Sequence, residues 1–242
     1  MKKQPYFSRN EIILTCVSYA VVIAAFVIFD GRGFLTLAAS LTGVTFLIFN
    51  AKANPVGQLL TIVFSIMYGI ISYRCRYYGE MITYLGMTAP MALFALISWL
   101  RHPFKGKRAE VTVNTIKRRE LIPALLLTAA VTAVFYFILR ALGTANLLPA
   151  TISVATSFAA VYLTFRRSHW FALAYAANDL VLIVLWAIAS FGDRTYLSVL
   201  VCFTVFFAND LYGFINWRRI KKRQQNGQES AGAARRTCDT EV

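Results

Sequence analysis

Residues 170–190 read WFALAYAANDLVLIVLWAIAS, an apolar run with a single acidic side chain, Asp179, near its middle. About 20 such residues are needed to cross the ~30 Å hydrocarbon layer of a bilayer. A charged side chain at that depth costs about 3 kcal/mol or more unless it faces a bundle interior or a water-filled cavity. The run therefore predicts a transmembrane helix whose carboxyl group faces a polar pathway.

The same motif recurs in the last apolar run of the chain. Residues 209–217 read NDLYGFINW, and residues 178–186 read NDLVLIVLW. In both copies Trp follows Asp after nearly two helical turns, so the two side chains share one face of the helix. Two such faces are typical of the wall of a polar-substrate pathway. Because Trp217 precedes two arginines, we expect it to be an anchor at the membrane interface.

The composition is that of a polytopic membrane protein. The chain has 242 residues, of which 58% are hydrophobic and only 15% charged, with a mean hydropathy of +0.57. A soluble domain has a charged share of about 25%. We therefore predict an all-α fold of about eight transmembrane helices. The eight apolar runs are 11–29, 33–50, 57–75, 81–100, 120–142, 150–165, 170–190 and 196–217.

The basic residues behind the net charge of +14 lie mainly on one side of the membrane. With eight spans and both ends on one side, 20 of the 25 basic residues lie on that side and the other 5 on the opposite side. Cytoplasmic loops carry an excess of Lys and Arg. We therefore expect both termini in the cytoplasm, and we attribute the net positive charge to the membrane topology. It does not indicate a nucleic-acid partner.

The chain contains an apparent internal repeat of three helices. SLTGVTFLIFNAK, ending at residue 52, corresponds to TSFAAVYLTFRRS, ending at residue 168, and this alignment pairs Phe49 with Phe165. Parallel repeats of this kind occur in transporters, with the substrate near the midplane between them. We thus expect one extra first helix and a 3+1+3 arrangement. The predicted parts are 1–32 (N-terminus and extra helix), 33–100 (first unit), 101–149 (basic loop and linker helix), 150–219 (second unit) and 220–242 (disordered basic tail).

Candidate binding residues follow from helical spacing within the two units. Aromatic rings attract a flat cation, and amide side chains both donate to and accept from hydroxyl groups. This chemistry suits a flat, hydroxyl-bearing ligand, above all a cationic one. Alternatively, either aspartate could bond a neighbouring helix purely as packing. The candidates are Asn178, Asp179, Asn209, Asp210, Tyr175, Trp186, Gln58, Tyr68, Tyr84 and Phe206.

The sequence has none of the motifs of a membrane enzyme or an ATP-driven pump. It contains no P-loop, nucleophile elbow or Ser/His/Asp constellation. Its four cysteines have neither C-x-x-C nor zinc-ligand spacing. We therefore predict no enzymatic activity, no cofactor and no metal site.

Several stretches resemble the PnuC family of vitamin transporters. They are FFANDLYGFINWRR at 206–219, YAANDLVLIVLW at 175–186 and YGIISYRCRYYGE at 68–80. The resemblance covers roughly residues 35–220, and the last two helices carry its sharpest part. It implies a fold like that of full-length SWEET sugar transporters and facilitated diffusion of nicotinamide riboside across a bacterial inner membrane. Phosphorylation in the cytoplasm would then trap the substrate.

By this resemblance, Asn178 and Asn209 match amides that hold the ribose. The chain departs from the family at two positions: Ala174 stands where family members carry Trp, and Asp210 where many carry Asn. Both departures leave the vitamin open, so thiamine and riboflavin are alternatives. A proton-coupled transporter using Asp179 or Asp210 is a further alternative, as is a non-transporting membrane scaffold. The expected partners are a small-molecule vitamin and the lipid bilayer, with a homo-oligomer also possible.

Overall fold

The computed structural model describes residues 6–31, 33–144 and 146–240. Within these residues, eight helices are long and apolar enough to span a membrane, as predicted. The helices are α1 (Arg9–Asp30), α2 (Phe34–Ala51), α3 (Val56–Arg74), α4 (Tyr78–Arg101), α5 (Arg118–Ala141), α6 (Leu147–Phe165), α7 (Phe171–Ser190) and α8 (Leu197–Thr240).

The helices pack as two three-helix units joined by a linker helix. In the first unit α3 contacts both α2 and α4, and in the second α7 contacts both α6 and α8. The units meet where the first helix of each packs on the last helix of the other, α2 on α8 and α4 on α6. The predicted fold class is confirmed, while the unit boundaries stay a prediction. Helix α1 packs on both α2 and α8, and so touches both units.

Equivalent turns follow the first helix of each unit. Ala53 and Arg167 both adopt the left-handed backbone conformation, with φ of 55° and 57°. Each turn contains the same two bonds. The left-handed residue donates its N–H to the carbonyl three residues back, Ala53 to Asn50 and Arg167 to Thr164, both at 2.9 Å. The next residue donates to the carbonyl five residues back, Asn54 to Phe49 and Ser168 to Leu163, both at 3.0 Å. This is the hydrogen-bonding pattern of a Schellman cap. The turns pair Phe49 with Leu163 rather than Phe165, so our sequence alignment was displaced by two residues.

A tryptophan from the last helix of each unit caps the other unit. Trp217 donates its indole N–H to the Asn50 carbonyl at 2.7 Å, and Trp99 donates to the Thr164 carbonyl at 2.9 Å. The two rings lie 5.5 Å apart between centroids, and both side chains are fully buried. The expectation that Trp217 anchors the protein at the interface is therefore wrong. The last carbonyls of a helix have no i+4 N–H donor, and here the indole N–H adds a second bond to the backbone N–H that each turn donates.

The basic loop crosses this same end of the bundle. Strands β1 (Pro103–Phe104) and β2 (Lys107–Val111) form a short antiparallel hairpin. The following segment, residues 111–114, is here called the strap. Its Val111 N–H donates to the Ala53 carbonyl and its Asn114 N–H to the Arg167 carbonyl, each at 2.9 Å. The strap thus connects the two equivalent turns. We call this end of the bundle the basic end.

The tail differs from the expectation of disorder beyond residue 220. Helix α8 continues to Thr240. Ile220 and Gln224 are buried. The Gln224 side chain accepts from the Val113 N–H at 2.8 Å and donates to the Val111 carbonyl at 3.0 Å. A polar sequence can extend a helix that is already nucleated, because each added residue gains a backbone bond without a new nucleation cost.

Candidate functional site

A small cavity lies between the two units, deep within the bundle. It encloses about 30 Å³, room for one or two water molecules. Helices α2, α3, α4, α7 and α8 all contribute to its wall. The lining residues are Phe46, Leu47, Thr61, Phe64, Tyr84, Thr88, Tyr175, Asn178, Asp179, Phe203, Phe206 and Asp210.

The two aspartates of the repeated motif meet in this cavity. Asp179 and Asp210 are 4% and 5% exposed, and their carboxyl groups lie within hydrogen-bonding reach of each other. Asp179 Oδ2 is buried without a hydrogen-bond partner among the described residues. In the described structure the lining contains no Lys, Arg or His. The cavity is therefore acidic and offers carboxylate oxygens to a ligand.

Asn178 is held by a set of hydroxyl groups on α6. Its Oδ1 atom accepts hydrogen bonds from Thr156 and Ser157, both at 2.9 Å, and from Ser153 at 3.5 Å. With its carbonyl oxygen engaged on the α6 side, Asn178 has its amide nitrogen available to the cavity that it lines. An amide nitrogen is a donor of two hydrogen bonds. The site therefore presents a fixed donor beside the two carboxyl groups.

Aromatic rings form the remaining walls of the cavity. The Phe64 ring lies 5.2 Å from Phe46, 5.7 Å from Phe206 and 6.0 Å from Tyr84, measured between centroids. Tyr84 lies in a π-helical segment of α4, Thr83–Thr88. Such segments within α-helices are frequent at functional sites. The rings provide flat apolar surfaces on which a planar heterocycle could stack.

Six of the predicted site residues line this cavity and four lie elsewhere. The six are Tyr84, Tyr175, Asn178, Asp179, Phe206 and Asp210. Asn209 instead faces α1, where its side chain donates to Ser18 Oγ at 2.9 Å and to the Val205 carbonyl at 2.8 Å. Asn209 and Asp210 are adjacent and point about 100° apart around α8, and here that rotation turns Asn209 toward α1 while Asp210 lines the cavity.

The other three predicted residues make contacts around the cavity. Gln58 donates to Asn50 Oδ1 at 2.8 Å, and this buried bond joins α3 to α2. Trp186 donates its indole N–H to the Tyr68 hydroxyl at 2.8 Å. Tyr68 in turn stacks on Phe64, with centroids 5.6 Å apart. Trp186 thus fixes the orientation of a ring that neighbours the cavity.

Our list of candidate residues omitted six of the lining residues, namely Phe46, Leu47, Thr61, Phe64, Thr88 and Phe203. One signal was available on α3. Thr61, Phe64 and Tyr68 recur at helical spacing and share a stripe. Our sequence analysis took Gln58 and Tyr68 as the candidates on this helix and passed over Thr61 and Phe64 between them.

A larger open space, the vestibule, lies at the end of the bundle opposite the basic end. Its volume is about 520 Å³, and Asp30, Arg74, Cys75 and Asp193 are among its lining residues. The backbone N–H of Thr195 donates to the Asp193 carboxylate, and this bond lowers the pKa of Asp193. Burial raises the pKa of the Cys75 thiol.

The passage from the vestibule to the central cavity is closed by aromatic side chains. A narrow pocket of about 10 Å³ shares lining residues with both spaces and is lined in part by Tyr68, Phe64 and Phe203. The Tyr68 ring meets Phe203 edge-on, with centroids 5.5 Å apart. Tyr68 is therefore the central residue of the barrier on the vestibule side.

The basic end is closed more extensively. Val111 of the strap belongs to one buried apolar cluster with Trp99, Phe171 and Trp217. Beside it, burial together with Lys221 and Arg218 lowers the pKa of His169 to about 4, so this ring is neutral at physiological pH. The conformation is thus open to the vestibule as far as Tyr68 and closed at the basic end.

Comparison with known proteins agrees with this architecture. Residues 33–219 match the family described as nicotinamide mononucleotide transporter. The nicotinamide riboside transporter PnuC of Neisseria mucosa is 29% identical over 201 residues, which are 81% of this chain and 76% of that protein. The protein of the same name from Haemophilus influenzae is 20% identical over 192 residues, 78% of this chain and 81% of that one.

A solved structure shares the fold. The crystal structure of the vitamin B3 transporter PnuC superposes with a TM-score of 0.80 at 24% sequence identity, covering 90% of this chain and 94% of that one. The resemblance to PnuC transporters noted in the sequence is confirmed. The chain therefore belongs to the nicotinamide mononucleotide transporter family and is a membrane transporter rather than an enzyme.

Proposed function

We propose that this chain carries nicotinamide riboside, or a closely related vitamin, across a bacterial inner membrane by facilitated diffusion. The observation that carries this proposal is the central cavity, where an amide donor, two carboxyl groups and aromatic rings converge. The rings would stack on the pyridinium, which they attract through cation–π contact. Asn178 would donate to a ribose hydroxyl, and the carboxyl groups would accept from hydroxyls and balance the positive charge.

The charge of the cavity favours the riboside over the nucleotide. The family takes its description from nicotinamide mononucleotide, whereas its two relatives are named as riboside transporters. A phosphate group in this cavity would meet Asp179 and Asp210 without a basic side chain from the described lining to neutralise it. A buried charge without a partner is strongly unfavourable. The nucleotide is therefore the poorer substrate.

Transport would follow from rocking of the two three-helix units about the cavity. In the described conformation the vestibule is open and the basic end is closed. Substrate would enter from the vestibule past Tyr68, and the Trp99–Trp217 contact would then separate to release it. If both termini are cytoplasmic, this direction is inward. Cytoplasmic phosphorylation would trap the product, so that no coupling ion is needed.

Purified protein in liposomes tests this function directly. We expect saturable uptake of nicotinamide riboside that is unaffected by an imposed pH gradient, and uptake of the mononucleotide at about one-tenth of that rate or less. Uptake that rises with an inward proton gradient would instead favour proton coupling through Asp179 or Asp210. Preferential competition by thiamine or riboflavin would reassign the vitamin. Absence of any flux would support a scaffold.

The orientation of the protein in the membrane can be tested by chemical labelling of Cys75, which lines the vestibule. A variant retaining Cys75 as its sole cysteine should react with a membrane-impermeant maleimide added to intact cells after the outer membrane is permeabilised. The reaction should be slow, because the thiolate is the reactive species and burial raises the pKa of this thiol. Excess nicotinamide riboside should slow it further. Labelling seen only in inverted vesicles would reverse the assigned topology.

A further inference from the structure

The two carboxyl groups of the central cavity lie in surroundings that do not compensate two negative charges. The titratable side chains that face them are Tyr84 from α4, Tyr175 from α7 and Cys202 from α8. None of these carries a positive charge. Like charges within hydrogen-bonding reach in a low-dielectric site cannot both be ionised without a cation.

A neutral pair is also disfavoured, because the site offers hydrogen bonds to one carboxylate. A protonated carboxyl group donates its O–H to a neighbouring carboxylate, and such charge-assisted bonds are about twice as strong as neutral ones. Asn178 lies on the same cavity wall, and its amide group is a further donor. One proton between the two groups therefore satisfies the geometry best.

We propose that Asp179 and Asp210 share a single proton and act together as one negative charge, which selects a substrate with one positive charge over a neutral molecule of the same shape. This inference rests on the proposed function and adds the charge state of the site. The shared proton stays with the pair throughout transport, so it is distinct from proton coupling. It also explains how two acidic side chains can be buried side by side in a lipid-embedded bundle.

Replacing either aspartate by asparagine should preserve the charge of the pair. Asparagine is a neutral counterpart of protonated aspartate and still donates an N–H to the remaining carboxylate. Asp179→Asn and Asp210→Asn should therefore each keep the preference for a cation. The double variant Asp179→Asn/Asp210→Asn carries no charge and should lose it. Two independent carboxylates would behave differently, since each single change would then remove part of the preference.

Calorimetric binding to the purified protein measures this preference. The probes are nicotinamide riboside, which is a cation, and its 1,4-dihydropyridine form, which is neutral and of nearly the same shape. We expect the natural protein to prefer the cation by at least about tenfold, the value of one hydrogen bond to a charged group. Each single variant should bind more weakly yet hold this ratio within about threefold, and the double variant should bring it near unity. A ratio that falls stepwise with each change would overturn the proposal.

Infrared spectroscopy of the ligand-free protein tests, independently of binding, whether the two carboxyl groups share a proton. The natural protein should show the C=O band of a protonated carboxyl group that disappears in both single variants. Glu80, which is buried and present in all three proteins, cancels in the difference spectrum. An unchanged band in either variant would refute sharing. If neither riboside binds, the proposed function fails, whereas the infrared difference still supports or refutes the charge state.

Discussion

Asn178→Leu is expected to lower the uptake of nicotinamide riboside by at least about tenfold, because a buried polar site loses its fixed donor. Leucine has the same branched skeleton of four heavy atoms as asparagine, although it is bulkier, and it cannot hydrogen-bond. The substitution also removes the acceptor for Thr156 and Ser157 on α6. The measurement is the initial uptake rate in liposomes at matched amounts of reconstituted protein.

The second Asn-Asp motif supplies a matched control. Asn209→Leu makes the same chemical change in the same sequence context, but Asn209 faces Ser18 on α1 rather than the cavity. Ser18 loses only the bond that it accepts, and its hydroxyl can still donate to the carbonyl of its own preceding turn. We expect uptake within about threefold of the natural protein at matched amounts of reconstituted protein, because Asn209 does not line the cavity. Equal losses in the two variants would show that both amides bind substrate, as the family resemblance implied.

The amino-acid sequence predicts the transmembrane spans of this fold well, because the requirements that a membrane places on a helix are local in the chain. Each helix must satisfy its own backbone and present about 20 apolar residues, so hydropathy reports it without knowledge of its neighbours. The buried carboxyl groups were predictable for the same reason. Asp179 and Asp210 lie in the middle of spans, where they are costly unless they face a cavity.

The direction in which neighbouring side chains point depends on packing between helices, and the sequence predicted these directions less well. Whether Asn209 or Asp210 meets the cavity is decided by a rotation of one residue about α8, which hydropathy does not specify. Trp217 was read as an anchor because a tryptophan beside arginines is common at membrane interfaces. Its indole instead caps the Asn50 carbonyl of the other unit. That partner is 167 positions away in the chain.

The closure at the basic end also arises from contacts that are distant in the chain. Trp99 and Trp217 each cap the opposite unit, and the strap bonds the two equivalent turns through Val111 and Asn114. Rocking that opens this end must break at least one indole–carbonyl bond, because these bonds join the two units. It must also break at least one strap bond, because the strap is bonded to a turn of each unit. The strap therefore lies across the proposed exit and holds the two turns together.

A disulfide between the strap and the second unit should arrest transport. Asn114 pairs with Ser168 in a parallel β-bridge. Neighbouring backbones in such a pairing lie about 4.8 Å apart, which falls in the Cα range of disulfides. The variant Asn114→Cys/Ser168→Cys, with the natural cysteines replaced, should lose at least about tenfold of its uptake rate on oxidation, since a tethered gate limits turnover. Reduction should restore the rate.

The arrest is expected because the strap is also held to the first unit. The β1–β2 hairpin, in which Pro103 pairs with Val111, ties it to the end of α4. A covalent link to Ser168 then fixes the end of the first unit against the turn between α6 and α7. Oxidised single-cysteine variants at positions 114 and 168 control for the substitutions themselves. Full uptake by the cross-linked protein would mean that the exit opens while the strap and this turn stay together, and the moving boundary would then lie between the strap and Ala53.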